Sequence, residues 1–592
     1  MQDAVFKRLP TDRAALVEAA CGRRPLDLVV RNVNLVNVLT CEIYPADIGV
    51  YGGRIAVVGA AGAYGLEAKV EIDGTGKWAC PGYFDAHLHI ESTMVTPANY
   101  AAGVLPFGTT TAVIDPHEIG NVMGLAGVRA MIEGSEGLPL RVYVAVPSCV
   151  PSVLGHETAG ALFDAAEIAE MLTWPRVISL AEVMDYIGVV GNDPRMRRIV
   201  DAALERGVNI QGHAPRLVGR ELNAYIAAGI DNDHESRLGP EVLEKLRLGL
   251  LPLVKLGSHG NHLPRLMPSL LEAAHADVAL CTDDVEPADL LINGHMDRVV
   301  RGVMAYGVPA ARAIRWACYI GPQHYGLRDL GAIAPGFIAD FQLLSSLDEV
   351  RTSDVFVGGR HLVADGRLKE AIPDPLKPQS FANSVRTGAV TADDFTIAGP
   401  RGPARMNAIH LLPTRLTTLA QIALDIPASG IAPETLPADA CMLSVVPRHG
   451  QGGRPTAVPL LGLGLKRGAI AHTVAHDCHN LLVAGRSGTD MAAAVAALRH
   501  SGGGFVLVED GVVVAEVPLP LAGLMSFEPC EVLSEQIERF NAAAHERGIQ
   551  PDTATPIVAM TGIALAVIPE VRITDKHPLF DVESQKPLPL FV

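Results

Sequence analysis

The sequence predicts an α/β protein: a (β/α)8 TIM-type barrel inserted in a small composite β-sandwich, with a C-terminal α+β domain behind it. Three observations predict this. From Trp78 to about Tyr325, apolar strand-like runs alternate with amphipathic helical stretches, the pattern of β/α repeats around a parallel sheet. On both sides of that region the chain reads as short strands punctuated by turn residues, as one β unit split by the barrel would. A polar, Pro-containing stretch, KEAIPDPLKPQSFANSVRTG, then sets off a further region with its own hairpin signal. The length of 592 residues agrees, because roughly 150 residues per domain implies two to four domains.

The split β unit is expected over residues 1–77 together with 328–375. Its first part reads LDLVVRNVNLVN and then ADIGVYGGRIAVVG, where Gly52-Gly53 marks a turn; its second part, GAIAPGFIADFQLL and DVFVGGRHLVADG, repeats the same hairpin grammar. The barrel is expected over residues 78–327, with eight strands in CPGYFDAH, GTTTAVIDP, LRVYVAVPS, RVISLAEV, GVNIQGHA, AGIDNDHE, LLPLVKLGS and ADVALCTDD. The C-terminal domain is expected over residues 385–592, and its GGFVLVEDGVVVAEV fits a tight hairpin turning at Asp510-Gly511.

Composition excludes several functions. A net charge of -17 with no dense Lys/Arg run repels phosphate backbones and anionic lipid, so neither nucleic acid nor membrane is an expected partner. Hydrophobic residues make up 49% of the chain and charged ones 19%, which argues for a chain folded throughout. Nine scattered cysteines without a C-x-x-C pair fit a reducing cytoplasm. MQDAVFKRLPTDRAALVEAA has no apolar signal core, and the longest apolar stretch, PIVAMTGIALAVIP, is too short to cross a bilayer. Ser501 and the glycines after it lack the Lys-Ser/Thr of a phosphate loop.

The chemistry lies at the strand ends. His87 and His89, two apart on a strand, face one side and can grip one ion. A bare H-x-H is more often surface or core histidine, so the other strand ends decide. Glu182 ends strand four, His213 strand five, His234 strand six and Asp283 strand eight, all at the face where barrel enzymes assemble their sites. Four imidazoles and two carboxylates converging there would be prohibitively costly unless a cation satisfied them. All-N/O ligation suits zinc, iron or manganese alike.

This ordered set, with its flanking β-sandwich, resembles a binuclear amidohydrolase over residues 26 to 370. Many binuclear members place a carboxylated lysine on strand four; here Glu182 stands there. That replacement, together with DAHLHIESTM, DPHEIGNVMG, AEVMDY, NDHES and TDD, is similar to adenine deaminases, and GAIAHTVAHDCHNLLVAG resembles the C-terminal domain peculiar to that family. The resemblance implies two divalent ions, manganese or iron before zinc, and deamination of free adenine to hypoxanthine and ammonia in purine salvage. It also implies a homo-oligomer, expected as a dimer.

In the implied reaction a metal-bridged hydroxide attacks adenine C6, and Asp283 accepts the hydroxide proton and passes it on. Glu235, beside a ligand, and Glu118, at the tip of strand two, are alternative ring-nitrogen acids, while Glu118 could instead orient the hydroxide or bind a purine nitrogen. Asp115, His117 and Asn121 on the same loop either recognise the base or cap the loop. His472 and His476 share strand parity, with Asp477 to Asn480 as the turn that follows. This cluster, including His479, either closes over the mouth and binds purine, or holds its own domain together, or forms an additional metal site. Deaminases acting on bases in nucleic acids carry H-x-E with P-C-x-x-C, which is missing here. The rival readings are a cyclic-amide hydrolase of the dihydroorotase type, whose usual bridging lysine is missing, and a non-catalytic scaffold, which would be expected to have lost ligands.

Overall fold

The computed structural model describes residues 13–592 apart from 259, 274–275, 414–415, 550–555 and 569. The start of the N-terminal segment and Pro569, the end of the longest apolar stretch, thus lie outside the described residues. Among the described residues no helix is long and apolar enough to cross a membrane.

One nine-stranded sheet unites Leu26–Asn37, Glu42–Tyr51, Arg54–Gly59, Ala68–Asp73 and Trp78–Pro81 with four later strands, Phe341–Ser346, Arg351–Val357, Arg360–Ala364 and Arg367–Leu368. Trp78–Pro81 is the seam: it runs parallel to Asn34 and Leu35 and antiparallel to Phe341–Ser346, so it joins the two chain segments just before the barrel begins. A bulge between Val30 and Val33, with Asn32 at φ 58°, bends the first strand. Its early half can therefore pair with Ala68–Asp73 and its late half with the seam. The sheet folds over a buried core that includes Val30, Leu35, Ile48, Phe341 and Phe356. At the expected turn Gly52 and Gly53 have φ of 57° and 75°, the double left-handed geometry of a tight hairpin.

All eight predicted barrel strands form, in order and parallel: Tyr83–Leu88, Thr109–Ile114, Arg141–Val146, Val177–Val183, Asn209–Gly212, Asn232–Asp233, Leu251–Lys255 and Ala279–Cys281. TTTAVI and VISLAEV are buried at every position, as strands covered on both faces must be. The barrel closes beyond the end of the eighth strand: Asp283 donates its N–H to the His87 carbonyl at 3.1 Å and accepts from the His89 N–H at 3.1 Å. Closure and the H-x-H pair thus share the same three residues.

The C-terminal region holds a second eight-stranded sheet, in the order Thr417–Ile426, Gly402–Leu411, Thr456–Leu461, Ala440–Val446, Leu481–Gly485, Ala469–His472, Gly504–Glu509, Val512–Pro518. Side chains of Ala469–His472 alternate between two cores. Ala469 and Ala471 pack with helix Gly488–Ser501, whereas Ile470 joins the core of helix Cys530–Glu546. That second helix also packs against Pro97–Val104 and Pro287–Asn293 of the barrel, making one continuous core across the two regions.

Candidate active site

The two residues of the H-x-H pair are oriented by different partners to the same end. His87 Nδ1 lies 2.7 Å from Gln211 Oε1, and His89 Nδ1 lies 2.9 Å from the Asp115 carbonyl oxygen. Both Nδ1 atoms therefore donate, and both Nε2 atoms keep a free lone pair. These Nε2 atoms converge on Asp283 Oδ1, at 3.5 Å from His87 and 3.3 Å from His89.

Glu182 stands between two groups of imidazoles. Its Oε1 is 3.5 Å from His89 Nε2, and its Oε2 is 3.3 Å from His234 Nε2 and in contact with His213 Nδ1. The His87 and His234 rings stack with centroids 4.0 Å apart, closing the gap between the groups. All six predicted ligands thus meet at one mouth, with His234 facing both sides: its Nε2 is 4.0 Å from Asp283 Oδ1 as well as 3.3 Å from Glu182 Oε2.

The residues fit divalent cations. His87 Nε2 and His234 Nδ1 are buried without a hydrogen-bond partner among the described residues, as is Asp115 Oδ1. Burial pushes the Glu182 and Asp283 carboxyls upward, but His213 and His234 around Glu182, and Lys255 beside Asp283, hold both well below the ordinary range. Two ionised carboxylates among imidazole lone pairs form a hard-to-borderline N/O donor set for divalent first-row metals.

His117 also faces this set. Its Nδ1 lies 3.1 Å from Asp115 Oδ2 and 3.5 Å from Glu182 Oε1, while Nε2 lies 3.6 Å from Asp477 Oδ1. Asp115, His117, His89 and Glu182 therefore offer donors to one point. Asn121 spends its amide inside the protein: Nδ2 donates to the His117 and Cys149 carbonyls at 3.0 and 3.1 Å, and Oδ1 accepts from the Cys478 thiol. This is the geometry of a cap.

The C-terminal cluster comes over the mouth. The strand carrying His472 ends there, so the expected strand parity does not reach His476. Thr473 instead turns its hydroxyl to the Gly523 carbonyl and accepts from the Gly504 N–H, which takes the chain out of the sheet. Residues 473–480 then cross to the barrel. There His476 Nδ1 lies 3.2 Å from Glu118 Oε1, His479 Nε2 lies 3.7 Å from Glu118 Oε2, and Asp477 accepts from Ser152 Oγ at 2.5 Å. The Asn480 side chain ties the loop at its far end, accepting from the Arg448 N–H and donating to the Thr158 carbonyl. His472 remains behind, stacked on Phe505 in the domain core.

Lys255, at the end of strand seven, was not anticipated. Its ammonium pairs with Glu235 Oε1 and lies 2.6 Å from Asp283 Oδ2, while Arg237 holds Glu235 Oε2 at 2.9 and 2.5 Å. Burial raises the Glu235 carboxyl, but Lys255, His213 and Arg237 outweigh it and keep the group well below its ordinary range. Gln211 was also missed, although it stands on strand five just before His213.

Residues 78–362 match the amidohydrolase family, and residues 415–586 match the adenine deaminase C-terminal domain. The chain is 38% identical over 563 residues to an adenine deaminase of Desulfatibacillum aliphaticivorans, covering 95% of this chain and 96% of that protein. It is 39% identical over 570 residues to an adenine deaminase of Nitratidesulfovibrio vulgaris, covering 96% and 97%. An adenine deaminase 2 of Rhizobium meliloti is 42% identical over 520 residues, covering 87% and 86%. With similarity along both the barrel and the C-terminal sheet, the chain belongs to the adenine deaminase family of amidohydrolases.

Proposed function

We propose that this protein hydrolyses free adenine to hypoxanthine and ammonia. The observation that carries the reading is the position of Glu182, one oxygen toward His89 and the other toward His213 and His234, which is where a carboxylate shared by two cations must stand. His87, His89, Asp283 and Glu182 would hold one ion, and Glu182, His213 and His234 the other. When bound, two divalent ions supply Lewis acidity and lower the pKa of water from 15.7 towards about 7, so that a nucleophile is available at neutral pH.

The chain's own residues then move protons. Asp283 takes a proton from the attacking water at Oδ1, while Lys255 fixes its other oxygen, and returns that proton to the departing amine. Glu235, ionised beside Lys255 and Arg237, is proposed to take the second proton of the water and pass it to the ring nitrogen beside C6, because Lys255 joins it directly to Asp283. Glu118 faces His476 and His479 instead. Asp115 and His117 line the mouth where the base would enter, Asn121 holds their loop, and residues 473–480 cover the opening and exclude water.

Manganese or iron are the proposed native metals, as the family resemblance implies; the all-nitrogen and oxygen donor set suits zinc as well. All nine cysteines are free, which supports a reducing cytoplasm, where free purine is salvaged. A homodimer is the proposed assembly: exposed Val512, Val513 and Val514 lie on the edge strand of the C-terminal sheet, an apolar edge that a second copy would cover. The test of the activity is loss of adenine absorbance on adding the metal-loaded full chain, with adenosine and guanine as comparisons. Inert adenine, with ring opening of a cyclic amide by the same preparation, would overturn the reading.

A further inference from the structure

Glu118, His476 and His479 form a group apart from the donors gathered around Glu182. Glu118 belongs to helix His117–Met123 on the barrel, whereas both histidines belong to the loop from the C-terminal sheet. Neighbouring residues on that helix divide the work, since His117 turns to Glu182 and Glu118 turns to the loop. Glu118 and His479 are buried to within 1% of full enclosure, and the donor atoms of the three residues all lie within 4.8 Å of one another.

Three features do not suit a plain hydrogen-bonded triad. Among the described residues His479 has no hydrogen-bond partner at either ring nitrogen, and Glu118 Oε2 has none either. A neutral imidazole always carries one N–H, so this burial leaves a donor unsatisfied as well as an acceptor. Finally, His479 Nε2 stands 3.7 Å from Glu118 Oε2, too far for a hydrogen bond, although both atoms face the same space. Ligands of one small divalent ion, with bonds of about 2.1 Å, stand about 3.0–3.5 Å from one another. The 3.2 Å contact falls within that spacing, and the 3.7 Å contact lies just beyond it.

We propose that Glu118, His476 and His479 are a third divalent-cation site, with two imidazole nitrogens and one carboxylate, which fastens the C-terminal loop to the barrel mouth. The donor set suits a borderline first-row ion such as manganese, iron or zinc, and leaves coordination positions for water. An ion here gives the orphaned atoms of His479 and Glu118 a partner. It also makes closure of the mouth depend on metal, through residues the Glu182-centred pair does not use. The count of three rests on the proposed pair at Glu182, so the experiment must separate the two sites.

The experiment is equilibrium dialysis of the chelator-stripped full chain against Mn2+ or Zn2+, with elemental analysis of bound metal. The wild type is expected to reach three equivalents, and His479→Gln and the His476→Gln/His479→Gln pair to stop at two. Glu118→Gln keeps the shape of the group and should weaken the third equivalent at least tenfold. His87→Ala/His89→Ala should remove metal from the other centre and keep the third equivalent. A wild type saturating at two equivalents overturns the third site, and this needs no variant to fold. So does a double histidine variant that still binds three. If His87→Ala/His89→Ala retains every equivalent, the Glu182-centred pair fails instead.

Discussion

Lys255 places its ammonium 2.6 Å from Asp283 Oδ2 and pairs at the same time with Glu235, linking the ends of strands six, seven and eight. One cation thus neutralises the two carboxylates on this side of the mouth and leaves Asp283 Oδ1 for the imidazoles of strand one.

Lys255→Met is therefore expected to do double damage. Two buried carboxylates lose their shared partner, and breaking a buried pair costs about 3–5 kcal/mol, visible as a lower Tm. The proton-transfer geometry goes with it, so kcat for adenine should fall on the order of 10²-fold or more. Wild-type kcat in this variant would remove Lys255 from the mechanism.

Metal content should follow the division of ligands. His87→Ala/His89→Ala is expected to lose one cation of the Glu182-centred pair and nearly all turnover. Glu182→Gln removes the charge between the cations and should weaken both, with the chain still soluble. Elemental analysis beside adenine turnover checks each; a Glu182→Gln enzyme of full activity and normal metal content is incompatible with a bridging role.

Glu235→Gln should keep the metal and lower kcat by roughly 10²-fold to 10⁴-fold, the range of general acid-base groups. Steady-state rates on adenine decide this, and an unchanged kcat would mean that the ring nitrogen is served by another group.

Most of the eight strands were legible as short apolar runs ending in a polar tip, although Asn232–Asp233 is polar throughout, and the six proposed ligands because those tips carry His, Glu or Asp. Lys255 was not legible. It reads as an ordinary lysine after LPLV, and its partners lie 20 and 28 residues away, so only barrel closure brings them together. The choice between recognition and capping for Asn121 was equally hidden, because its partners at Cys149 and Cys478 come from other loops. His476 and His479 could be paired with each other by spacing, but Glu118 lies in another region of the chain, and only the docked loop joins them.

A pH effect follows from Glu157, buried beside the same loop with Oε1 accepting the Val153 N–H at 2.9 Å. Burial first, and then the charge of Asp477, push its carboxyl from an ordinary 4.5 up to about 8. The folded value lies above the unfolded one. The contribution is therefore complete below pH 4.5 and is lost as pH rises through 8. Wild type should lose stability relative to Glu157→Gln across that window, by about 5 kcal/mol at most. Thermal unfolding of both proteins from pH 5 to 8.5 measures it; parallel Tm curves would contradict the shift.

The loop of residues 473–480 has a consequence for the order in which the enzyme comes to exist. Every barrel-tip residue that meets at Glu182 leaves the ribosome before this loop is made, and domains fold from the N-terminal side as synthesis proceeds. The strand ends are thus made before the loop that covers them in the finished protein. Only when the C-terminal sheet has formed and its helix Cys530–Glu546 has settled on the barrel does the opening narrow. Enclosure of the mouth is therefore the last step in building the site.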